Sequence, residues 1–468
     1  MSNEAIERGI VMIRFINHRH TLPAIVLPAL VALPAAGQVI NEDLKLTASD
    51  GGGNQRFGFS IAIDNGVVAV GASQDDDNGT RSGSAYLFDA STGAELFKLL
   101  PSDGADFDYF GWSIAIDNGI VAVGAYFDDD NGINSGSAYL FDASTGAQLF
   151  KLLPSDGATE DFFGQSIAID NGVVVVGANE DDNQNGNFSG SAYIFDASTG
   201  VQLFKLLPND GAAGDGFGYS VAIDNGIVAV GSWFDTDNGG ASGSAYVFDA
   251  STGGQTAKLL ANDGGQGDHF GTSVAVDNGI VAVGAPSHGD NGGFSGSVYL
   301  FNASGGQIAE LLPSDGAAGD FFGYAVSIDN GVVASGASSN DDNGDSSGSA
   351  YLFDASTGAQ ITKLLPTDGA FRDEFGRSIA IDNGTVAAGA YADNDNGGDS
   401  GSAYLYHTGT GPTCPADLDG DGVLDFFDVS AFLTAFATQD SAADFDGDGT
   451  FDFFDVSAFL QAFGKGCP

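Results

Sequence analysis

Residues 60–72 read SIAIDNGVVAVGA, and this stretch has the pattern of a tight β-hairpin. Asn65 and Gly66 are typical of the two central residues of a type I′ turn, which needs positive φ at both positions. A two-residue loop sets the strand register, so Ile63 is expected opposite Val68. One face of the hairpin is then bulky and the other small, as expected of a sheet that is packed on both faces.

The hairpin belongs to a unit that occurs seven times. A Phe-Gly pair precedes each copy at intervals of 52–54 residues, with the phenylalanines at Phe57, Phe110, Phe163, Phe217, Phe270, Phe322 and Phe375. Strands of the type SGSAYLFDA and LFKLLP follow the hairpin and bring each unit to four strands. A four-stranded unit of this length is typical of a propeller blade. The sequence therefore predicts an all-β, seven-bladed β-propeller over residues 43–408.

The region of repeats begins and ends with an incomplete unit. DLKLTASDGG (43–52) corresponds to the end of a unit, whereas SGSAYLYHTGTG (400–411) begins one that no KLLP-like segment follows. We expect KLTA (45–48) to supply the outer strand of a last blade whose three inner strands come from residues 375–406. Pairing of the N- and C-terminal strands would close the ring and remove the open sheet edges.

The units are similar to the FG-GAP repeat, which also builds the propeller of integrin α-subunits. The similarity lies in FGxSIAIDNG, in the VGA that ends the second strand and in the SGSAYLF third strand, over roughly residues 43–408. It implies a seven-bladed propeller used in extracellular recognition. Integrin-type repeats often carry a calcium loop between the first two strands, but an Asn-Gly turn takes that place here. Calcium sites of that kind are therefore not expected in the propeller.

Charge and the N-terminal segment limit the class of partner. The formal net charge of −49 argues against nucleic acid and anionic membranes, because both need a cationic face.

Residues 1–37 contain arginines and then an apolar run that ends in small residues, which is the pattern of a signal peptide. The run is short and rich in proline for a membrane span. We expect a secreted protein, associated with a cell surface, with no membrane span after signal removal.

Acidic loops share one face of the predicted ring. The loops between the second and third strands are rich in Asp, Asn and Gly. An aspartate also stands two places before the phenylalanine in six of the seven repeats: Asp108, Asp161, Asp215, Asp268, Asp320 and Asp373. Two interpretations stay open, namely weak binding of divalent cations and ordinary turn residues whose charge keeps an exported protein soluble.

Candidate ligand residues on this face are those at which the repeats differ. One group combines an aromatic ring with two imidazoles, which suits a sugar or a peptide. The other is a basic patch of three arginines, which suits an anionic group. The two groups are Trp233, His269 and His288, and Arg56, Arg81 and Arg372. Sequence drift in solvated loops is the alternative for both.

The composition changes at a linker rich in Gly, Thr and Pro, residues 409–416, after which two calcium loops of EF-hand form occur in tandem. The expected ligands of the first loop are Asp417, Asp419, Asp421, Val423, Asp425 and Asp428, and those of the second are Asp444, Asp446, Asp448, Thr450, Asp452 and Asp455. Calcium is thus the cofactor that the sequence predicts.

A helix is predicted after each calcium loop by apolar residues at positions i, i+3, i+4 and i+7. The two stripes are Val429, Phe432, Leu433 and Phe436, and Val456, Phe459, Leu460 and Phe463. We expect the helices to bury these stripes on each other. With so few residues, the fold should depend on metal and on a disulfide between Cys414 and Cys467.

A calcium loop followed by a helix, in duplicate, resembles the dockerin module, here a small α-helical domain over residues 417–463 that the two cysteines bracket. The resemblance implies docking onto a cohesin-like or other surface receptor. Loop positions 10 and 11, often small hydroxyl residues that meet cohesin, are here Phe426 and Phe427 in one copy and Phe453 and Phe454 in the other. A calcium-stabilised tail without a receptor is the alternative.

Three functions remain open. The first is an exported, non-catalytic binding or adhesion protein, whose propeller is a platform for an extracellular protein or carbohydrate and whose C-terminal module is the anchor. The second is a surface-anchored polysaccharide-active hydrolase or lyase with its site on the acidic face, and the third is an architectural spacer. We favour the first, because aspartates that mostly repeat sevenfold suit structure better than catalysis.

Overall fold

The structure is a computed structural model. It describes residues 39–408 and, nearer the C-terminus, residues 416, 418, 424, 426–438, 443, 445, 450, 451 and 453–465. The predicted signal peptide, most of the predicted linker, Cys414 and Cys467 lie outside the described residues. So do nine of the predicted calcium ligands, Asp417, Asp419, Asp421, Val423, Asp425, Asp444, Asp446, Asp448 and Asp452, and the side chains of Phe426, Phe427 and Phe454.

Residues 39–408 form an all-β, seven-bladed propeller, and the four strands that each blade has in common are antiparallel. Blade 1 is β3 (Phe57–Asp64), β4 (Val67–Ala72), β5 (Ser84–Asp89) and β6 (Glu95–Leu99); blade 2 is β7 (Ser113–Asp117), β8 (Ile120–Ala125), β9 (Ser137–Asp142) and β10 (Gln148–Leu152). Blade 3 is β11 (Ser166–Asp170), β12 (Val173–Ala178), β13 (Ser191–Asp196) and β14 (Val201–Leu206); blade 4 is β15 (Phe217–Asp224), β16 (Ile227–Ser232), β17 (Ser244–Asp249) and β18 (Gly254–Leu259). Blade 5 is β19 (Ser273–Asp277), β20 (Ile280–Ala285), β21 (Ser297–Asn302) and β22 (Gln307–Leu311); blade 6 is β23 (Ala325–Asp329), β24 (Val332–Ala337), β25 (Ser349–Asp354) and β26 (Gln360–Leu364).

Blade 7 takes strands from both ends of the propeller. It consists of β27 (Ser378–Asp382), β28 (Thr385–Ala390), β29 (Ser402–His407) and the early strand β2 (Leu44–Leu46). β2 runs antiparallel to β29, with Leu44 opposite Leu405 and Leu46 opposite Ala403. A further strand, β1 (Val39–Ile40), was not expected from the sequence. It pairs in parallel with β26 and so adds a fifth strand to blade 6.

The hairpins have the register that the Asn-Gly turn predicts. Ile63 lies opposite Val68, and φ is 47° at Asn65 and 75° at Gly66. The large side chains of each blade are buried against the small face of the blade before it. The core between blades 1 and 2, for example, combines Ala69 with valines and isoleucines of β7 and β8. Face-to-face packing of blades around the ring follows from this alternation.

The Phe-Gly pairs join neighbouring blades. Phe110 packs edge-on against Tyr139 of its own blade at 5.6 Å, and it forms a bridge with Gly83 of blade 1. Gly111 has φ of 87°, and a Cβ there would lie 2.4 Å from a carbonyl oxygen of blade 1, so no other residue fits. The equivalent bridge pairs Phe57 of blade 1 with a glycine of blade 7. The first strands of these two blades, β3 and β27, also lie against each other.

Two helices, α1 (Phe426–Thr438) and α2 (Phe453–Lys465), follow the propeller. They pack on each other as expected, with the rings of Phe432 and Phe459 stacked 4.2 Å apart. Neither described helix has the length and hydropathy that crossing a membrane requires. The prediction that Leu433 and Leu460 are buried was wrong, because they are 58% and 56% exposed. Each follows the central phenylalanine by one residue, about 100° around the helix, and lies beside the narrow contact.

Candidate functional site

The acidic loops are organised around lysine side chains. In blade 4, the ammonium of Lys258 lies 2.8 Å from Asp210, 3.0 Å from Asp235 and 2.5 Å from Asp237. Tyr246 donates a hydrogen bond of 2.8 Å to Asp235. Burial acts to raise the pKa of Asp235, but hydrogen bonds and the lysine charge outweigh it and hold that pKa below its usual value. The loop is thus tied to the outer strand, which carries the lysine.

Six of the seven blades contain this lysine, which always lies over the ring of the third-strand tyrosine at 4.9–5.1 Å. The lysines are Lys45, Lys98, Lys151, Lys205, Lys258 and Lys363. Internal ion pairing is therefore a third role for the acidic loops, beside the two that the sequence left open. The signal in the sequence was that the lysine of LFKLL, the tyrosine of SAYLF and the aspartates of the loops repeat together.

The aspartates that precede the Phe-Gly pairs serve their own loops. Asp108 is 6% exposed and accepts the N–H of Ala105 at 2.7 Å. Burial raises the pKa of Asp108 to about 6. Gln55 stands at this place in the first repeat and accepts the N–H of Gly52, also at 2.7 Å. An uncharged side chain therefore fills the same role, which indicates that the loop needs a hydrogen-bond acceptor and not a charge.

Aromatic side chains gather around the axis of the ring on the loop face. They follow the Phe-Gly pairs or the second strands, and they are Phe59, Trp112, Tyr126, Tyr219, Trp233, Tyr324 and Tyr391. Burial raises the pKa of Tyr219 in blade 4, and Tyr324 in blade 6 raises it further. Blades 4 and 6 are not neighbours, so this interaction crosses the axis of the ring. All seven rings of this axial cluster remain partly exposed.

Two arginines join the axial cluster. The guanidinium of Arg377 lies 3.8 Å from the centroid of the Tyr324 ring, a cation–π contact. Arg377 was not among the predicted ligand residues, although it occupies the place after Phe-Gly at which several other repeats carry an aromatic ring. Arg56, which was predicted, lies 5.3 Å from the ring of Tyr391.

The other two predicted arginines contact different rings. Arg81 is exposed and donates a hydrogen bond of 3.2 Å to the hydroxyl of Tyr109. Arg372 is also exposed and lies 4.9 Å from the ring centroid of Phe371. The three arginines of the predicted basic patch therefore have three separate aromatic partners.

A cleft of about 280 Å³ opens beside the axial cluster, between blades 3 and 4. It is lined by Asn179, Glu180, Phe188, Trp233 and Phe234, and by the backbone of two glycines. Burial raises the pKa of Glu180, and the charge of Glu160 raises it further. We call this the Trp233 cleft.

Trp233 connects the cleft to its surroundings. Its ring stacks on Tyr219 of the axial cluster with centroids 4.5 Å apart. On another side, His269 of blade 5 lies 5.3 Å from Trp233 and 5.6 Å from Phe234. Burial lowers the pKa of His269, so its imidazole is neutral at pH 7. The predicted grouping of Trp233 with His269 is therefore found in the structure.

His288, the other histidine predicted near Trp233, points into blade 5. It is 7% exposed, its Nδ1 lies 2.9 Å from Asp268, and its ring lies 5.9 Å from that of Tyr299. The reason is positional. His288 occupies the loop position at which blade 4 has the buried Asp235, so the backbone turns its side chain inward.

Three of the predicted calcium ligands lie in the described residues. Asp428 and Asp455 are fully buried in the first turns of α1 and α2, where a helix N-terminus favours negative charge. The N–H of Leu418 donates to Asp428 at 2.8 Å. Thr450 is exposed, and so is Phe453, at 74%.

Comparison with protein families gives a match along the propeller. A family model described as FG-GAP repeat matches residues 40–88, 94–141, 147–195, 201–248, 254–301, 306–353 and 359–406. These segments cover more than two thirds of the chain. Each contains the outer strand of one blade and the three inner strands of the next, the same offset that places β2 beside β29. A comparison with curated proteins finds no match.

Proposed function

The chain belongs to the FG-GAP repeat family, and we propose that it is an exported, non-catalytic binding protein whose propeller is the ligand platform. One observation above all supports this function: the Trp233 cleft adjoins an axial cluster of partly exposed aromatic rings. A concave site with aromatic walls and a few polar groups is typical of small-ligand binding. Partly exposed rings held together on one face also mark interaction surfaces.

The ligand that fits the Trp233 cleft best is a neutral carbohydrate. The flat faces of Trp233, Phe234 and Phe188 suit the apolar face of a sugar ring, while Glu180 and Asn179 offer acceptors for its hydroxyl groups. At about 280 Å³ the cleft is slightly smaller than ordinary small-ligand sites, which limits the ligand to one or two sugar units. An acidic polysaccharide is disfavoured because the formal net charge of the chain is −49.

Binding without turnover is the form of the proposal that the lining residues favour. Glycoside hydrolysis ordinarily uses a pair of carboxyl groups that flank the scissile bond. Among the described residues that line the cleft, Glu180 is the single carboxylate. The lysine-paired aspartates of the loops are already engaged in ion pairs, as Asp235 is with Lys258.

We further propose that the C-terminal segment is a dockerin-like calcium module that anchors the propeller to a cohesin-like or other surface receptor. Asp428 and Asp455, at position 12 of the two predicted calcium loops, are buried and so suit a carboxylate that turns towards a cation in its loop. When bound, calcium would supply folding energy to this small core. The exposed side chains of Leu433, Leu460 and Phe453 offer apolar area to a receptor.

The experiment is a screen of neutral glycans and extracellular proteins against the full chain with calcium present. We expect saturable glycan binding without product release. Trp233→Ala should weaken it about tenfold or more, because it removes the largest aromatic face of the cleft. Phe188 and Phe294 occupy equivalent loop positions in blades 3 and 5, so Phe188→Ala should weaken binding and the matched Phe294→Ala should not.

The alternative functions give different results in the same screen. Release of shorter sugars would favour the polysaccharide-active enzyme, and binding confined to proteins would reject the carbohydrate ligand. Absence of any binding by the folded chain would favour the architectural spacer.

A further inference from the structure

Blade 5 replaces the lysine of the loop network with an acid. In blade 4, a lysine ammonium holds three aspartates: the residues are Lys258, Asp210, Asp235 and Asp237. The corresponding residues of blade 5 are Glu310, Asp263, His288 and Asp290. Three carboxylates and an imidazole therefore meet in blade 5 without the internal cation that each of the other six blades supplies.

The four side chains of blade 5 converge. One oxygen each of Asp263, Asp290 and Glu310 and a ring nitrogen of His288 all lie within 4.8 Å of one another. The Nε2 atom of His288 is 3.2 Å from Asp290 and 4.0 Å from Glu310. A tetrahedral zinc site has ligand atoms roughly 3.4 Å apart, from bond lengths of about 2.0–2.2 Å. Closing these four groups on an ion requires shifts of about 1 Å.

Buried polar atoms in the cluster are left without hydrogen bonds. Tyr299 is 0% exposed, and its hydroxyl makes no hydrogen bond of good geometry. The equivalent Tyr246 of blade 4 donates to Asp235, whereas Tyr351 of blade 6 is left without a partner, as Tyr299 is. The Oε1 atom of Glu310 is also buried without a hydrogen-bond partner. Such atoms are costly in a folded protein and call for a partner within the cluster.

Asp268 prepares the imidazole for a metal. Its carboxylate lies 2.9 Å from Nδ1 of His288, so Nδ1 is the ring nitrogen placed to carry the hydrogen. Nε2 then presents its lone pair towards the carboxylates of Asp290 and Glu310. A carboxylate that orients a metal-binding histidine through its other nitrogen is a recurrent feature of metal sites.

We propose that Asp263, His288, Asp290 and Glu310 bind a divalent transition-metal ion, with Zn²⁺ as the probe, in place of the lysine ammonium of the other blades. Three hard carboxylates more than balance the charge of a divalent ion, and imidazole adds a preference for zinc-like metals. Calcium is disfavoured because it takes oxygen ligands. This inference is independent of the proposed carbohydrate ligand.

A protonated His288 is the rival source of positive charge in blade 5. Burial lowers the pKa of His288, but Asp268, Asp290 and Glu310 outweigh this effect and raise it above its usual value. An imidazolium would pair with these acids and leave no role for a metal. Zinc binding near pH 7.5 distinguishes the two, because the metal needs the neutral ring.

The test is a Zn²⁺ titration of the full chain in saturating Ca²⁺, which occupies any calcium loops. The variant Glu310→Lys restores the lysine of the other blades, and His288→Asp/Glu310→Lys restores the whole arrangement of blade 4. Glu160→Lys changes the charge equally at an exposed glutamate of blade 3 and is the matched control. We expect the natural chain and Glu160→Lys to bind one more equivalent of Zn²⁺ than the other two chains.

Thermal unfolding gives a second readout that does not depend on counting ions. Zn²⁺ should raise the Tm of the natural chain but not that of Glu310→Lys. In a zinc chelator, Glu310→Lys should have the higher Tm, because its ammonium replaces the missing cation. Equal zinc stoichiometry in the natural chain and Glu310→Lys would overturn the proposal. So would a difference in Tm between these two chains that Ca²⁺ and Zn²⁺ change equally.

Discussion

Lys45 and Asp393 are 348 positions apart in the chain, yet the lysine ammonium lies 2.9 Å from the aspartate carboxylate. Lys45 belongs to β2, and Asp393 belongs to the loop that precedes β29. Lys45 also lies 2.6 Å from Asp368 and 2.5 Å from Asp395. The ion pairs that organise a loop in other blades therefore join the two ends of the propeller in blade 7.

We expect Lys45→Met to destabilise the propeller by about 2–4 kcal/mol, because it leaves Asp393, which is 3% exposed, without its cation. The double variant Lys45→Met/Asp393→Asn should recover about half of that loss, since both charges are then absent. Urea unfolding followed by tryptophan fluorescence measures the free energy, because Trp112 and Trp233 both lie in the propeller. A double variant less stable than Lys45→Met would contradict the expected recovery.

Shortening the chain should separate the roles of β1 and β2. A chain that begins at Asp43 loses β1, a two-residue addition to blade 6, and should keep most of its stability. A chain that begins at Thr47 also loses β2 and exposes the edge of β29, which is a template for pairing between chains. We expect it to unfold more easily and to self-associate, as measured by urea unfolding and light scattering. Equal stability to urea and equal light scattering of the two shortened chains would show that β2 does not stabilise the ring.

Mild acid should stabilise the loops that enter the blades. Burial raises the pKa of Asp108 from 3.8 to about 6, so the folded chain holds this proton more tightly than the unfolded chain. The contribution to stability is complete below about pH 4 and is lost as the pH rises through about 6. Burial raises the pKa of Asp161 and Asp373 to about 6 as well. Lowering the pH from about 7 to about 5 should therefore raise the Tm.

Asp108→Asn tests this pH dependence. Its side-chain oxygen can accept the N–H of Ala105 as Gln55 accepts that of Gly52. We expect the variant to be at least as stable as the natural chain at pH 7, and to lose roughly 1 kcal/mol of the gain between pH 7 and pH 5. If the pH dependence of stability is the same in the variant and the natural chain, the pKa of Asp108 is not raised.

The hairpins and the seven blades were predictable because their signals are local and repeated. Asn65 and Gly66 define the strand register within a few residues. Seven copies of the same pattern make the assignment firmer than a single copy would. The inward orientation of the His288 side chain was not predictable from the sequence of its loop. This loop position becomes buried only when the outer strand of the blade packs beside it. Glu310 was overlooked for the same reason. Its replacement of the lysine becomes important only when the outer strand lies beside the acidic loop.

The Trp233 cleft was partly predictable. Trp233 and His269 stood out because they interrupt the repeat, and the structure brings them within 5.3 Å of each other. Phe188 and Glu180 line the same cleft from the preceding blade. Their role depends on the angle between two blades, which no single repeat encodes.

Removal of calcium should unfold the C-terminal segment and leave the propeller intact. Among the described residues, the core of α1 and α2 is centred on Phe432 and Phe459 with few fully buried neighbours. This apolar burial is too little to hold two helices of 13 residues on its own. The propeller loops instead take their cations from lysines such as Lys258. In a chelator, hydrogen exchange should accelerate across residues 429–436 and 456–463 and stay unchanged in β4. Asp428→Ala and Asp455→Ala should each reproduce this effect in calcium, because each removes a position-12 carboxylate, whereas Gln461→Ala, on the exposed side of α2, should not. Protection of both helices in chelator would contradict a calcium-dependent module and leave a helical tail that folds by packing alone.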